Sequence, residues 1–295
     1  MYLYSKKFSN DLWNYSALRK IKDVMYKVPP VGFIRRVKRR IMKHFIEMAL
    51  WPYRDRLEKQ ELDFKEDLSF MEGNYIFRFL YQNVLISMFL PNYKVDNLQG
   101  EIVRGQEFYE LVLLRQIAKK YHKPNMVFLD CGANIGNHTV FFGKIMNAKK
   151  IISFEGHPGT YNILKRNIDL NNLTDSVDAY NCVLGEKTSM ASIESFDETN
   201  IGGTGFVEDN KNGSIKMIAL DEMGIEEHID FVKMDVEGSE YFVLKGMENL
   251  LKRDRPVLWV EIFPDKYSKV AKLLNEYGYY QKENIGGANY IFSLR

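Results

Sequence analysis

Cysteine is almost missing from this chain. Two among 295 residues, Cys131 and Cys182, exclude a disulfide framework and lack the clustering of a zinc site, so a reducing cytoplasm is the natural setting. Long apolar runs are also missing: none approaches the roughly 18 residues needed to cross a bilayer. No apolar stretch follows the early basic residues of MYLYSKKFSNDLWNYS, which argues against secretion. There is no internal repeat and no low-complexity segment. What is present is ample: 45% hydrophobic, 14% aromatic and 27% charged residues, enough apolar surface for a sizeable core and far from a disordered composition.

The net charge of +2 hides an asymmetry, because residues 1–60 hold 15 Lys+Arg against 5 Asp+Glu and the rest of the chain is acidic. Within 33–50, Ile34, Val37, Ile41, Phe45 and Met48 recur at helical steps, and Arg35, Arg36, Lys38, Arg39, Arg40 and Lys43 fill the other faces. The pattern predicts a basic amphipathic helix starting just after Pro29-Pro30. Three uses stay open: packing its stripe on the main domain, lying on an anionic membrane surface, or meeting nucleic acid or another acidic partner.

Residues 75–90 are rich in β-branched and aromatic residues and end at Pro91-Asn92, which predicts strands or a short hairpin. Phe108, Leu111, Leu114, Ile117 and Tyr121 predict one helix over about 105–121. Strands are then expected at 126–130, 150–155, 177–184, 229–235 and 257–263, with helices opening near Gly136, Pro158, Ser239 and Asp265. Such alternation predicts an α/β fold with a mostly parallel, doubly wound sheet. The tail around Asn284-Ile285-Gly286-Gly287 adds an antiparallel hairpin. The expected division is an N-terminal extension over 1–100 and an α/β domain over 101–295.

In such a sheet a ligand belongs beyond the carboxyl ends of the strands. There the chain reads DCGANIGNHT over 130–139. Gly132 and Gly136 allow close backbone approach to a ligand, and the free amides of the following helix suit an anionic group. The spacing is neither the G-x-G-x-x-G of dinucleotide loops nor the G-x-x-x-x-G-K-[ST] of triphosphate loops. An acid precedes the first glycine, and the next strand ends in Glu155, placed to accept two hydrogen bonds from a ribose diol. A nucleoside bearing a carboxylate in place of a pyrophosphate fits, and S-adenosylmethionine is such a molecule; its sulfonium would sit favourably beside Asp130. Helix capping by Asp130 and Glu155 is the plainer alternative.

The segment Phe231-Val-Lys-Met-Asp-Val-Glu-Gly-Ser-Glu240 puts Lys233 and Asp235 on one face of a strand expected to be buried on both faces. An ion pair explains the lysine by itself. Glu261 ends the following strand and stands near Asp235 if the two strands are neighbours. Two such carboxylates can hold a divalent ion, raise the pKa of one member for acid–base work, or position hydroxyls, and the residues do not choose among these. The stretches 200–205 and 210–213, rich in Asn and Gly, are either a closing segment or a surface insertion.

Taken together, DCGANIGNHT at 130–139, FEGHP at 154–158, Leu164–Asn171, Ala219-Leu-Asp221, Ile229–Glu240, Val243–Gly246 and Arg255–Glu261 resemble the FkbM family of S-adenosylmethionine-dependent methyltransferases. The likeness covers about 105–263. It implies a Rossmann-like, seven-stranded sheet of the class I methyltransferase type and methyl transfer to a hydroxyl of a sugar or natural product. Carried over by position, Asp130, Gly132, Asn134 and Gly136 would surround the methionine part and Glu155 the ribose, while Asp235 and Glu237 would face the transfer site. Gly156 departs from the proline common after the acid. Candidates for the general base are Asp235, Glu237, His138 and Glu261 in that order, with His138 alternatively a helix-start donor. No metal ligand set is assigned, although a divalent ion is compatible with the carboxylates. Two rivals are an NAD-dependent oxidoreductase, which lacks its fingerprint here, and a nucleic-acid methyltransferase, whose usual [DN]-P-P-[YF] block is replaced by Asp235-Val-Glu-Gly238. A third is a non-enzymatic membrane-associated scaffold.

Overall fold

The computed structural model describes residues 74–294; the basic segment 33–50 lies outside the described residues. The described chain opens with a hairpin, β1 (Ile76–Tyr81) and β2 (Val84–Phe89), followed by helices α1 (Asn97–Gly105) and α2 (Leu111–Tyr121). The parallel part runs β3 (Val127–Cys131), α3 (Asn137–Lys144), β4 (Lys150–Glu155), α4 (Pro158–Leu170) and β5 (Val177–Asn181). Next come four short strands, β6 (Val183–Leu184), β7 (Ser189–Ser195), β8 (Gly205–Glu208) and β9 (Ile215–Ile218). The chain then returns as β10 (Phe231–Met234), α5 (Glu240–Lys245), α6 (Glu248–Asp254), β11 (Val257–Glu261), α7 (Tyr267–Glu276), β12 (Tyr279–Gly286) and β13 (Asn289–Leu294).

The main sheet has seven strands in the order β12-β13-β11-β10-β3-β4-β5. The five from β11 to β5 are mutually parallel, and β13 runs antiparallel to both β11 and β12. This is the doubly wound, mostly parallel sheet expected, closed by the expected tail hairpin. Strand order reverses between β3 and β10, so a crevice opens there at the carboxyl ends of the strands. The core is apolar on both sides of these strands, as sheets covered on both faces require. Phe128, Phe142 and Phe231 pack on one side, with the first two rings stacked at 4.5 Å. Val232, Met234, Val243, Leu244 and Leu258 are among the side chains buried together in one large cluster.

Three local expectations change. The helix over 105–121 is instead two helices, because Gln106 and Glu110 take left-handed backbone (φ 49° and 54°) and break the path between them. Phe108 sits in that break yet remains core, edge-on to both Phe79 and Phe141 at 5.2 Å, which is why its spacing imitated a helical stripe. The strand over 177–184 divides at Cys182, and its second half joins another sheet. The connection carrying 200–213 is largely that sheet, four-stranded, in the order β6-β9-β7-β8.

The hairpin β1–β2 is bound to α4. The Asn171 amide exchanges hydrogen bonds with both backbone groups of Ser87, at 3.1 and 2.7 Å. Asn167 accepts from Phe89 N at 2.5 Å and donates to Ile135 O at 2.8 Å, linking the hairpin to the glycine turn. Among the described residues, no helix is long and apolar enough to cross a membrane.

Candidate active site

The turn after β3 is shaped by its surroundings. Gly132 has φ 78°, and a Cβ there would stand 1.8 Å from the Asp235 carbonyl oxygen. Gly136 has φ 88°, and its Cβ would fall 2.7 Å from Leu164 Cδ1. Gly132 is therefore demanded by neighbouring backbone and Gly136 by its left-handed φ, reasons separate from close approach of a ligand. Gly132 N and Ala133 N donate to Phe154 O, and Asn134, also left-handed at φ 51°, donates its N–H to Glu155 Oε2 at 2.9 Å. In α3 Val140 N is bonded to Gly136 O, so the amides of 137–139 precede the first helical bond and remain at the helix start.

Asp130 has no exposed surface. Its Oδ2 accepts from Thr139 Oγ1 at 2.6 Å, and its Oδ1 has no hydrogen-bond partner but faces Lys233 Nζ at 3.7 Å. It lies beneath the turn beside Lys233 and offers no surface for direct contact. Lys233 is itself buried. Its Nζ donates to Gly132 O at 2.8 Å and lies 3.6 Å from Asp235 Oδ2. Burial opposes the ammonium, but Asp235, Asp130, Glu110 and Glu261 outweigh it and raise its pKa, so the charge is kept. The register explains the pairing: Lys233 lies opposite Asp130 on one side and Trp259 on the other.

Glu155 is buried and anchored by two amides, Asn134 N on Oε2 and His157 N on Oε1 at 2.7 Å. Burial pushes its carboxyl up to about 7 despite those bonds and the Lys233 charge. Each oxygen keeps a second lone pair for a diol. His157 also caps α4, accepting from Thr160 N at 3.2 Å, with its ring stacked on Phe196 at 5.3 Å. The small sheet thus borders this turn. Gly156, the departure from proline, has no room for a side chain, since its Cβ would be 2.8 Å from both Phe206 and Val183. The 3₁₀ turn Ile201–Gly203 rests on Asn134, whose Nδ2 is 2.4 Å from where a Gly202 Cβ would be.

At the strand tips, β10 and β11 are neighbours and pair as far as Met234 with Val260, so Asp235 and Glu261 follow side by side. Burial, then Asp235 and Glu110, push the Glu261 carboxyl up to about 7. Glu237, left-handed at φ 51°, is likewise pushed up to about 7 by burial, Asp235 and Glu240. Asp235 keeps 32% of its side chain exposed. His138 is buried, edge-on to Trp259 at 5.1 Å. Its Nε2 lies 3.5 Å from Glu110 Oε2, a residue that the sequence reading passed over. The signal for α1 was also present and unread: Asp96 caps it by accepting from Gln99 N, three residues on. No group of three or more His, Cys, Asp or Glu side chains placed to hold a metal ion occurs among the described residues.

A seven-stranded sheet of this order, carrying an acid–glycine turn after its first parallel strand and an acid at the end of the next, defines a Rossmann-like methyltransferase domain. Residues 130–280 match the family model described as the Methyltransferase FkbM domain, and the chain belongs to that family. It is 36% identical over 180 residues to the hexuronic acid methyltransferase AglP of Haloferax volcanii, covering 59% of this chain and 70% of that protein. It is 25% identical over 145 residues to Methyltransferase 1 of Beauveria bassiana, covering 41% of this chain and 58% of that protein's length. A crystal structure of an FkbM methyltransferase from Methylobacillus flagellatus superposes with a TM-score of 0.42 at 18% identity, covering 68% of this chain and 62% of that one.

Proposed function

We propose that the chain is an S-adenosylmethionine-dependent O-methyltransferase whose acceptor is a sugar hydroxyl in a glycan, a lipid-linked saccharide or a related natural product. The observation that carries this reading is the placement of Asp235 and Glu261 just beyond the last β10–β11 pair, Met234 with Val260, with the Asp235 backbone against the Gly132 turn whose Asn134 N–H donates to Glu155. The likeness to AglP supports a sugar acceptor.

The residues present fit the cofactor. Glu155 retains lone pairs for a ribose, the amides at the start of α3 suit a carboxylate, and the buried Asp130 favours a cation above it. The bound cofactor supplies a methyl group activated on a sulfonium. Gly132, Asn134 and Gly136 set the turn that holds its methionine part. Asp235, whose Oδ2 lies 3.6 Å from Lys233 Nζ, accepts the hydrogen bond of the incoming hydroxyl and aligns it. Glu261, its carboxyl raised to about 7, then takes the proton; Glu237 lines the same mouth.

The proposed division remains an extension over 1–100, with its β1–β2 hairpin docked on α4, and a catalytic domain over 101–295. Basic residues 33–50 would place a cytoplasmic enzyme against an anionic membrane, where lipid-linked saccharides are found. Nucleic acid is the less favoured partner.

Calorimetry with S-adenosylmethionine and its demethylated product tests the cofactor, and transfer of labelled methyl to saccharides tests the acceptor. Heat from neither compound ends the reading. Deleting 1–60 without effect on membrane association or on activity toward lipid-linked saccharides removes the membrane part.

A further inference from the structure

We infer that Glu110 is an acceptor-binding carboxylate, held in place from behind by His138, so that His138 is a positioning residue. The inference rests on the saccharide reading above and deepens it. Glu110 stands at the start of α2 in left-handed backbone, φ 54° and ψ 30°, a conformation uncommon for a residue with a Cβ and one that persists where surrounding structure enforces it.

The enforcement is visible. The Asn137 side chain grips Tyr109 by both backbone groups, accepting from its N–H at 3.0 Å and donating to its carbonyl at 3.1 Å. The next residue, His138, meets Glu110 itself. One turn of α3 therefore clamps both the backbone and the carboxylate of the 109–110 corner.

The two members differ in exposure: the His138 side chain is 7% exposed and that of Glu110 23%. His138 Nε2 is buried with no hydrogen-bond partner, and Glu110 Oε2 at 3.5 Å is the acceptor it faces. The imidazole is the inner member and the carboxylate the outer. Register places the pair beside the transfer site. Lys233 and Trp259 are opposite one another, and Asp235 and Glu261 continue the same face two residues on; His138 packs on Trp259.

The charged groups facing Glu110 come from several elements. Burial raises its carboxyl, but His138 on α3 and Lys233 on β10 more than offset this and hold it low. Glu261 on β11 is pushed the opposite way, up to about 7, by burial and then by the charges of Asp235 and Glu110. One carboxylate stays ionised to accept a hydrogen bond from a sugar hydroxyl, and its neighbour is left poised for the proton.

The test measures methyl transfer to a panel of neutral methyl glycosides, with carboxyl titration of Glu110 by carbon NMR in the free protein. At a pH well above 7, where Glu261 is ionised, Glu110→Gln is expected to raise the acceptor KM by about tenfold or more, with kcat and cofactor Kd little changed. His138→Gln raises KM less, and the double variant is no worse than Glu110→Gln. In the free protein, His138→Gln moves the Glu110 midpoint upward. An unchanged KM in Glu110→Gln, losses that multiply in the double variant, or an unmoved midpoint each overturn the inference. If even the wild type methylates no glycoside, the saccharide reading falls, and the titration decides the Glu110–His138 pairing independently.

Discussion

The Asp235 carbonyl oxygen occupies the space that a Cβ on Gly132 would need, 1.8 Å from its position, and Gly132 returns its own carbonyl to Lys233 Nζ at 2.8 Å. The tips of β3 and β10 are thereby locked together, joining the glycine turn to the proposed transfer site. Gly132→Ala meets a backbone oxygen and a positive φ together, and neither can relax cheaply. It is expected to yield a protein that unfolds at clearly lower denaturant concentration and binds S-adenosylmethionine at least tenfold more weakly. Both are read from a urea titration followed by calorimetry.

Asp235→Asn keeps the side-chain shape and removes the charge. The fold should survive, with circular dichroism unchanged, while turnover falls about a hundredfold or more because the incoming hydroxyl loses its acceptor. Near-normal turnover in the purified variant would reject the role given to Asp235.

Lys233→Met leaves Asp130 buried without its cation. Removing one partner of a buried ion pair costs about 3–5 kcal/mol, which should appear as a lowered denaturation midpoint at unchanged slope. Partial recovery in Lys233→Met/Asp130→Asn would assign the loss to the uncompensated carboxylate.

Stability and activity should depend on pH in opposite senses. Glu155, Glu237 and Glu261 have folded-state values near 7 against an ordinary 4.5, so between those limits the folded state binds more protons than the unfolded state. Unfolding free energy is therefore expected to fall as pH rises from about 5 through 7. The methyl-transfer rate should rise over the upper part of that window, because Glu261 must lose its proton before it can accept one. Denaturation curves and kcat/KM measured at matched pH values check both slopes.

Asn167→Ala removes an amide that joins β2, α4 and the glycine turn. Phe89 N and Ile135 O would lose a buried partner, and the expected loss is about 2–3 kcal/mol. Hydrogen exchange should show the β1–β2 hairpin opening before the sheet does.

How far the sequence could be read depended on what each signal reports. The parallel strands, the tail hairpin and the acids at 130, 155, 235 and 261 were legible because strand alternation and strand-to-helix turns are local patterns. The break at 106–110 was not, since Phe108 keeps helical spacing while pointing into the core from a loop. Nor was the split at Cys182, because no turn residue separates β6 from β5 and what sets it apart is its partner, β9. Glu110 escaped for the same reason: nothing near position 110 announces that Asn137 and His138 will close on it.

The sequence by itself determined the alternation of strand and helix, the acid–glycine turn and the family, because these depend on residue type and spacing along the chain. Tertiary structure alone decided which acids face the mouth and which lie beneath it. Asp130 became a buried counter-charge to Lys233, and Glu110 arrived from a helix start outside the parallel sheet. The reason is physical: burial and Coulomb coupling depend on distances across neighbouring elements, which no local pattern encodes.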